Sequence, residues 1–214
     1  MKYIKKNLLI EKVKAQDVAK KFGTPIYCYS YNQLKKNINN FKKSFSSFAP
    51  LVCFAIKSNT NINLITEIRK FGLGADVVSK GELMLALKAG IDPKKIVFSG
   101  VGKTSQEISY AIDKKILLIN AESKSEINEI EKIALTKKKI IDIGIRLNPN
   151  TDAKTLNQIS TGKKDNKFGV DEKTFFDLVN YSKFSKNINL QCLSVHIGSQ
   201  ILDYKPYEKM LKVV

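Results

Sequence analysis

Lys57 closes the apolar run Leu51-Val52-Cys53-Phe54-Ala55-Ile56, and the polar stretch Ser58-Asn59-Thr60-Asn61 follows it at once. Its primary amine is the kind of group that holds a carbonyl compound as a Schiff base. Asp76 is a carboxylate inside the apolar run Gly74-Ala75-Asp76-Val77-Val78, and burying it unpaired would be costly, so it must find a partner. Arg146 sits near the end of Ile141 to Leu147 and is one of only two arginines, with Arg69. His196, the single histidine, lies at the end of Leu190 to Ile197, just before Gly198-Ser199, where a glycine allows a ligand to approach the backbone. Strand alternation puts Ser194 and His196 on one face, and Val195 and Ile197 on the other. Each has a structural alternative. In a chain with 35 lysines, one at a strand end can simply reach solvent, and a lone strand histidine can be satisfied in a core. Glu82, third after Ser79, is explained as well by helix capping as by chemistry.

These residues need elements to position them. Ser79-Lys80-Gly81-Glu82, Thr104-Ser105-Gln106-Glu107 and Ser123-Lys124-Ser125-Glu126 are capping-box patterns, each following a short apolar strand and opening an amphipathic helix. Six strands are predicted, near 51–57, 74–79, 96–100, 117–121, 141–147 and 190–197. Short apolar strands alternating with helices imply parallel strands and helical crossovers. A doubly wound sheet or a (β/α)8 barrel would give this pattern, and the barrel needs eight strands and typically ~250 residues. The final stretch, Tyr207 to Val214, reads as an unfinished helix, as if the chain were cut mid-fold. Asn150 to Lys167 is polar and without apolar period, a loop length usually tied to function or mobility.

Two phosphate-binding patterns fail on spacing. Gly100-Val101-Gly102-Lys103-Thr104 has Val97 where a P-loop needs its first glycine, and reads as an ordinary strand-to-helix turn. Gly72-Leu73-Gly74 lacks the third glycine of a dinucleotide fingerprint and precedes its strand.

The net charge of +17 invites a nucleic-acid partner, but only two of 37 basic residues are arginine, the residue suited to bidentate phosphate and base recognition. The lysines are scattered beside Asn and Ile, as a compositional bias would scatter them, so no nucleic-acid partner is expected. No apolar run reaches the ~18 residues of a membrane span, and the N-terminal apolar stretch is too short for a signal peptide. No membrane partner and a cytoplasmic location are therefore expected. Cys28, Cys53 and Cys192 lie in apolar, strand-like runs without metal-ligand spacing; buried free thiols fit, and with one histidine a zinc site is not expected.

Taken together, Phe54-Ala55-Ile56-Lys57-Ser58-Asn59, Gly74 to Leu83, Arg146-Leu147-Asn148-Pro149 and His196-Ile197-Gly198-Ser199-Gln200 resemble the fold-type III pyridoxal-phosphate decarboxylases. The stretch Ile159-Ser160-Thr161-Gly162 with Asn166-Lys167-Phe168-Gly169 is more similar to the branch acting on meso-diaminopimelate than to the ornithine and arginine decarboxylases. The resemblance runs in order from about Phe22 to Asp203. It implies a (β/α)8 TIM-like barrel of the alanine racemase type, incomplete here with about six βα units, and a C-terminal β domain absent. Residues 1–30 would lead into the barrel, and 31–214 would be its partial pyridoxal-phosphate-binding part. The resemblance also implies the roles. Lys57 would carry pyridoxal 5'-phosphate as a Schiff base and exchange it for the substrate amine. His196 would stack on the pyridine ring, Asp76 and Arg146 would form the polar network beside the cofactor, and Ser199 would help hold it.

The implied reaction is decarboxylation of meso-diaminopimelate to L-lysine by a homodimer acting on a small amino-acid substrate. Another basic amino acid as substrate, or a non-catalytic regulatory relative, are the alternatives; an intact Lys57 argues against the second. The family's glycine-rich phosphate loop, the acidic partner of the pyridine nitrogen, the cysteine from the second subunit and the substrate arginines would all lie beyond residue 214. The 214 residues alone are therefore expected to be inactive. Ser58 stands where the family usually has alanine.

Overall fold

The computed structural model describes residues 2–4, 6–151 and 168–214. The polar stretch from Asn150 to Lys167, and with it the Ile159 to Lys167 motif, lies almost wholly outside the described residues. The chain divides into two compact units, Met1–Pro50 and Leu51–Val214.

The first unit holds an antiparallel three-stranded sheet, β1 (Lys2–Ile4), β2 (Asn7–Ile10) and β3 (Val13–Lys14), followed by helices α1 (Ala15–Phe22) and α2 (Tyr31–Ser44). Sequence reasoning placed no strands here, because Lys6 (φ 64°) and Glu11 (φ 58°) occupy left-handed turn positions where glycine or asparagine would have signalled hairpins. Glu11 then serves as an anchor. Its carboxylate accepts from Ser30 Oγ, the Asn32 backbone N–H and Asn32 Nδ2, and those donors hold it below the usual carboxylate range, the backbone bond first.

The second unit is a repeated strand–helix series: β4 (Cys53–Ala55), α3 (Ile62–Lys70), β5 (Gly74–Val77), α4 (Lys80–Lys88), β6 (Ile96–Phe98), α5 (Ser105–Asp113), β7 (Leu118–Ala121), α6 (Lys124–Thr136), β8 (Ile141–Leu147), α7 (Glu172–Phe184), β9 (Ile188–Val195) and α8 (Lys205–Leu211). All six strands are parallel and lie in chain order from β4 to β9. A doubly wound sheet must reverse its strand order, whereas right-handed crossovers without reversal put every helix on one face. This is the winding of a TIM-like barrel, with six of its units present.

The core lies on that helix-covered face. Ala75 and Val77, Ile96 and Phe98, Ile119 and Ala121, and Ile143 and Ile145 alternate along β5 to β8 and pack with Leu83, Ile108, Ile127, Ile130 and Leu178 from the helices. The residues between them point to the other face. They include Asp76, Asn120, Gly144 and Arg146, so the period of two that buries the core also sets the polar residues apart.

The three caps form where expected, but only one is a closed box. Thr104 Oγ1 accepts from the Glu107 N–H at 3.3 Å, and Glu107 accepts from the Thr104 N–H at 3.1 Å. Ser79 and Ser123 cap Glu82 and Glu126 in the same way, at 3.2 Å each, yet those glutamates reach one residue further back. Glu82 accepts from the Val78 N–H at 2.9 Å and Glu126 from the Glu122 N–H at 2.8 Å. They tie down the last residues of the strand approach, so Glu82 has a structural role.

A candidate active site at the strand ends

In parallel α/β sheets the strand C-termini carry the chemistry. Lys57 is there, but it does not end a strand. β4 stops at Ala55, and Ile56–Ser58 forms a single 3₁₀ turn. The Ser58 hydroxyl donates to the Ala55 carbonyl at 2.7 Å, and the Asn59 N–H to the Ile56 carbonyl at 2.9 Å, tightening the chain just after the strand. Ile56 is fully buried inside this turn and Lys57 is exposed, so the turn anchors on one residue and presents the next.

Asp76 pairs in register with Ala55 on the neighbouring strand and is half-buried. Its Oδ1 accepts from Ser99 Oγ at 2.5 Å, and Ser99 Oγ in turn accepts from Asn120 Nδ2 at 3.2 Å. Burial pushes the Asp76 carboxyl above its ordinary pKa; the Ser99 hydrogen bond and the charges of Lys57, Arg146 and Lys103 pull the other way. Cys53, close enough to feel the Asp76 charge, is pushed up to about 11, mainly by burial, and is an inert thiol at neutral pH.

Arg146 and Glu122 form the second cluster. Both are buried, and Arg146 Nη1 donates to Glu122 Oε1 at 3.0 Å. The same carboxylate accepts from the Gly100 N–H and the Gly169 N–H, both at 3.1 Å. The Arg146 guanidinium lies 4.9 Å from the centroid of the Phe168 ring, and its Nη2 donates to the His196 carbonyl at 3.5 Å. Glu122 therefore joins the chain after β6, the end of β7 and the β8 arginine, and the arginine reaches the end of β9. A cation held on so many sides cannot swing away.

His196 follows β9 directly and keeps an exposed side. Desolvation lowers its pKa, with Arg146 and Lys57 adding to the effect and Glu122 opposing it. At neutral pH it presents an uncharged imidazole. Ser199 is exposed beyond β9 and takes no part in the hydrogen bonds described. Lys57, Asp76, Arg146 and His196 thus fall within one electrostatic neighbourhood, and Ser199 follows three residues after His196.

Ser99, Asn120 and Glu122 were not singled out from the sequence. The usable signal was parity: each is polar, at or just past a strand end, in step with Asp76 or Arg146 on the same sheet face. Gly100 to Thr104 reads from the sequence as an ordinary strand-to-helix turn, and the Lys103 side chain shows a further reason why it is not a phosphate loop. Lys103 is buried, with Nζ donating to Glu126 Oε1 at 2.6 Å and to the carbonyls of Gly100 at 2.6 Å and Asn120 at 2.7 Å. All three of its donors are spent, which leaves none for a phosphate. The three cysteines are free, as expected, but each is only partly buried, and Cys28 lies outside any strand.

The site offers an exposed amine, a carboxylate hydrogen-bonded to a hydroxyl and in the field of three cations, a fixed guanidinium and a neutral imidazole. This donor set fits a flat aldehyde-bearing group that carries negative charge. The comparisons with known proteins agree. The family model described as "Pyridoxal-dependent decarboxylase, pyridoxal binding domain" matches residues 31–214. The diaminopimelate decarboxylase of Aquifex aeolicus is 41% identical over 214 residues, which is all of this chain and 50% of that protein. The crystal structure of diaminopimelate decarboxylase from Helicobacter pylori complexed with L-lysine superimposes with a TM-score of 0.88 at 40% identity, over 92% of this chain and 51% of that one. A lysine decarboxylase from Selenomonas ruminantium, with a TM-score of 0.82 at 21% identity, shares the fold. The chain spans about half the length of the curated relatives it matches.

Proposed function

The chain belongs to the pyridoxal-dependent decarboxylases, as their pyridoxal-binding domain, and from that premise we propose that it is the cofactor-holding part of an enzyme that converts meso-diaminopimelate to L-lysine. The observation that carries this reading is Lys57, an exposed amine just past a parallel strand, close enough to Asp76 and His196 for its charge to act on both. Relatives 41% and 44% identical to it are named diaminopimelate decarboxylases, and enzymes of that name have been solved with L-lysine.

Pyridoxal phosphate, when bound, supplies an electron sink for the carbanion left when carbon dioxide departs. The chain's own residues do the rest. Lys57 would hold the cofactor through its Nζ amine, and a lysine amine at that place can also take up and give back a proton. His196, kept neutral by its surroundings, would bear on the cofactor ring without adding charge. Arg146, locked by Glu122, is a fixed cation, and Asp76 is the counter-charge on the same side. The Ser199 hydroxyl helps hold the cofactor. In the same reading residues 1–30 lead into the binding barrel of 31–214, consistent with a family match that begins at residue 31. The enzyme works in the cytoplasm as a homodimer, with its phosphate loop and substrate-recognising residues in the half of the fold that this chain does not contain.

The test is carbon dioxide release by the full-length protein with meso-diaminopimelate, L-lysine, L-ornithine and L-arginine. We expect kcat/KM for meso-diaminopimelate to exceed the others by roughly a hundredfold or more, because a site built to bind a polar group rejects substrates that lack it. A preference for ornithine or arginine would overturn the substrate assignment.

A further inference from the structure

We propose that Ser99 and Asn120 are positioning residues: they form a one-way hydrogen-bond relay that holds the Asp76 carboxylate as an ionised acceptor near Lys57, and Gly144 exists to make room for it. The proposal rests on the reading of Asp76 as the counter-charge beside the cofactor.

Three adjacent strands build the relay. Asp76 lies on β5, Ser99 follows β6, and Asn120 lies on β7, in register with Gly144 on β8. An ionised carboxylate can only accept, so the Ser99 hydroxyl must give Asp76 its single proton. At 2.5 Å that contact has the short length of a charge-assisted bond. Ser99 then has only lone pairs left for its other neighbour. Asn120 must therefore offer its NH₂, and Nδ2 donates to Ser99 Oγ at 3.2 Å.

This direction explains an otherwise costly feature. Asn120 is 7% exposed, and its Oδ1 is buried with no hydrogen-bond partner among the described residues. A buried amide oxygen left unpaired is unfavourable and needs a reason. Turning the amide over would set Oδ1 against the Ser99 lone pairs and break the chain to Asp76. The orphaned oxygen is the consequence of the relay's direction. It points toward Gly144, where a Cβ would stand 2.2 Å from Oδ1 and 3.1 Å from the Cys192 Cβ. Any side chain at position 144 would push the amide away.

The relay has work to do because other influences on Asp76 compete. Burial favours the neutral acid, while Lys57 after β4, Arg146 on β8 and Lys103 before α5 favour the carboxylate. Cys53 on β4 is a neutral thiol.

The test is a ¹³C NMR titration of the Asp76 carboxyl in the full-length apoprotein, with the resonance assigned by its loss in Asp76→Asn. Ser99→Ala should raise the midpoint by about one pH unit, the scale of a hydrogen bond to a charged group. Ser99→Thr, which keeps the hydroxyl, should restore it. Asn120→Ala should shift it in the same direction by less, and this variant carries the test if Ser99→Ala does not fold. An unchanged midpoint in the folded variants overturns the relay. Gly144→Ala should lower the melting temperature, and adding Asn120→Ala should recover most of that loss; no recovery overturns the role of Gly144. The titration reads the carboxyl directly. A protein that ignores meso-diaminopimelate would sink the functional reading and leave the relay standing, whereas an unmoved midpoint in an active enzyme would sink the relay alone.

Discussion

Ile145 and Arg146 are neighbours on β8, and they face opposite chemistries. Ile145 has no exposed surface and packs among the helices, while Arg146 turns to the other side of the sheet and is held by Glu122 at 3.0 Å. The same division runs along β5 to β7. On the helix side, apolar area removed from water supplies stability without direction. On the other side every buried polar atom must be matched, because an unmatched one costs more than a lost methylene. The first face tolerates changes of shape, and the second depends on which atom donates to which.

That contrast can be broken in measurable ways. The largest effect should come from Glu122→Ala, which strands the buried Arg146 charge and frees the Gly100 and Gly169 N–H groups. Losing one partner of a buried pair costs about 3–5 kcal/mol, to be read from denaturant unfolding. Ile145→Val, one residue from Arg146, should cost only about 0.5–1.5 kcal/mol and leave cofactor capture by Lys57 unchanged. If the two losses were similar, the distinction between the faces would fail.

The smallest effect is one of sign. The pKa of Asp76 is raised in the folded protein, so this residue's favourable contribution is fully present below its unfolded pKa and is lost as pH rises through the folded value. Asp76→Asn should therefore gain in stability relative to wild type as pH rises from strongly acid toward neutral, while losing function. A gap that narrows in the opposite direction, followed by thermal melting across that range, would contradict the burial account of Asp76.

Much of the helix-packed face was legible in the sequence. The Ser79, Thr104 and Ser123 caps each opened a helix where expected, because capping depends on residues three apart in one chain. The strands came out in the right places but shorter at several ends: β6 stops at Phe98, and β4 at Ala55, where the Ser58 hydroxyl bonds back and closes a turn. The site was legible only in part. Lys57, Asp76, Arg146 and His196 stood out because each is unusual in its run. Ser99, Asn120 and Glu122 are ordinary polar residues one at a time. They acquire meaning through the parallel register that sets Asn120 beside Gly144 and the end of β7 beside Arg146, and register is a property of paired strands. The hairpin from β1 to β3 stayed hidden for a local reason, since lysine and glutamate occupy its left-handed turns.

The central claim is that Lys57 is the amine that holds the cofactor. The most direct measurement is to incubate the full-length protein with pyridoxal phosphate, reduce with borohydride, and locate the label by peptide mass. We expect a single labelled lysine, Lys57, and no stoichiometric label in Lys57→Ala. Stoichiometric label on another of the 35 lysines, or label persisting undiminished in Lys57→Ala, would contradict the account.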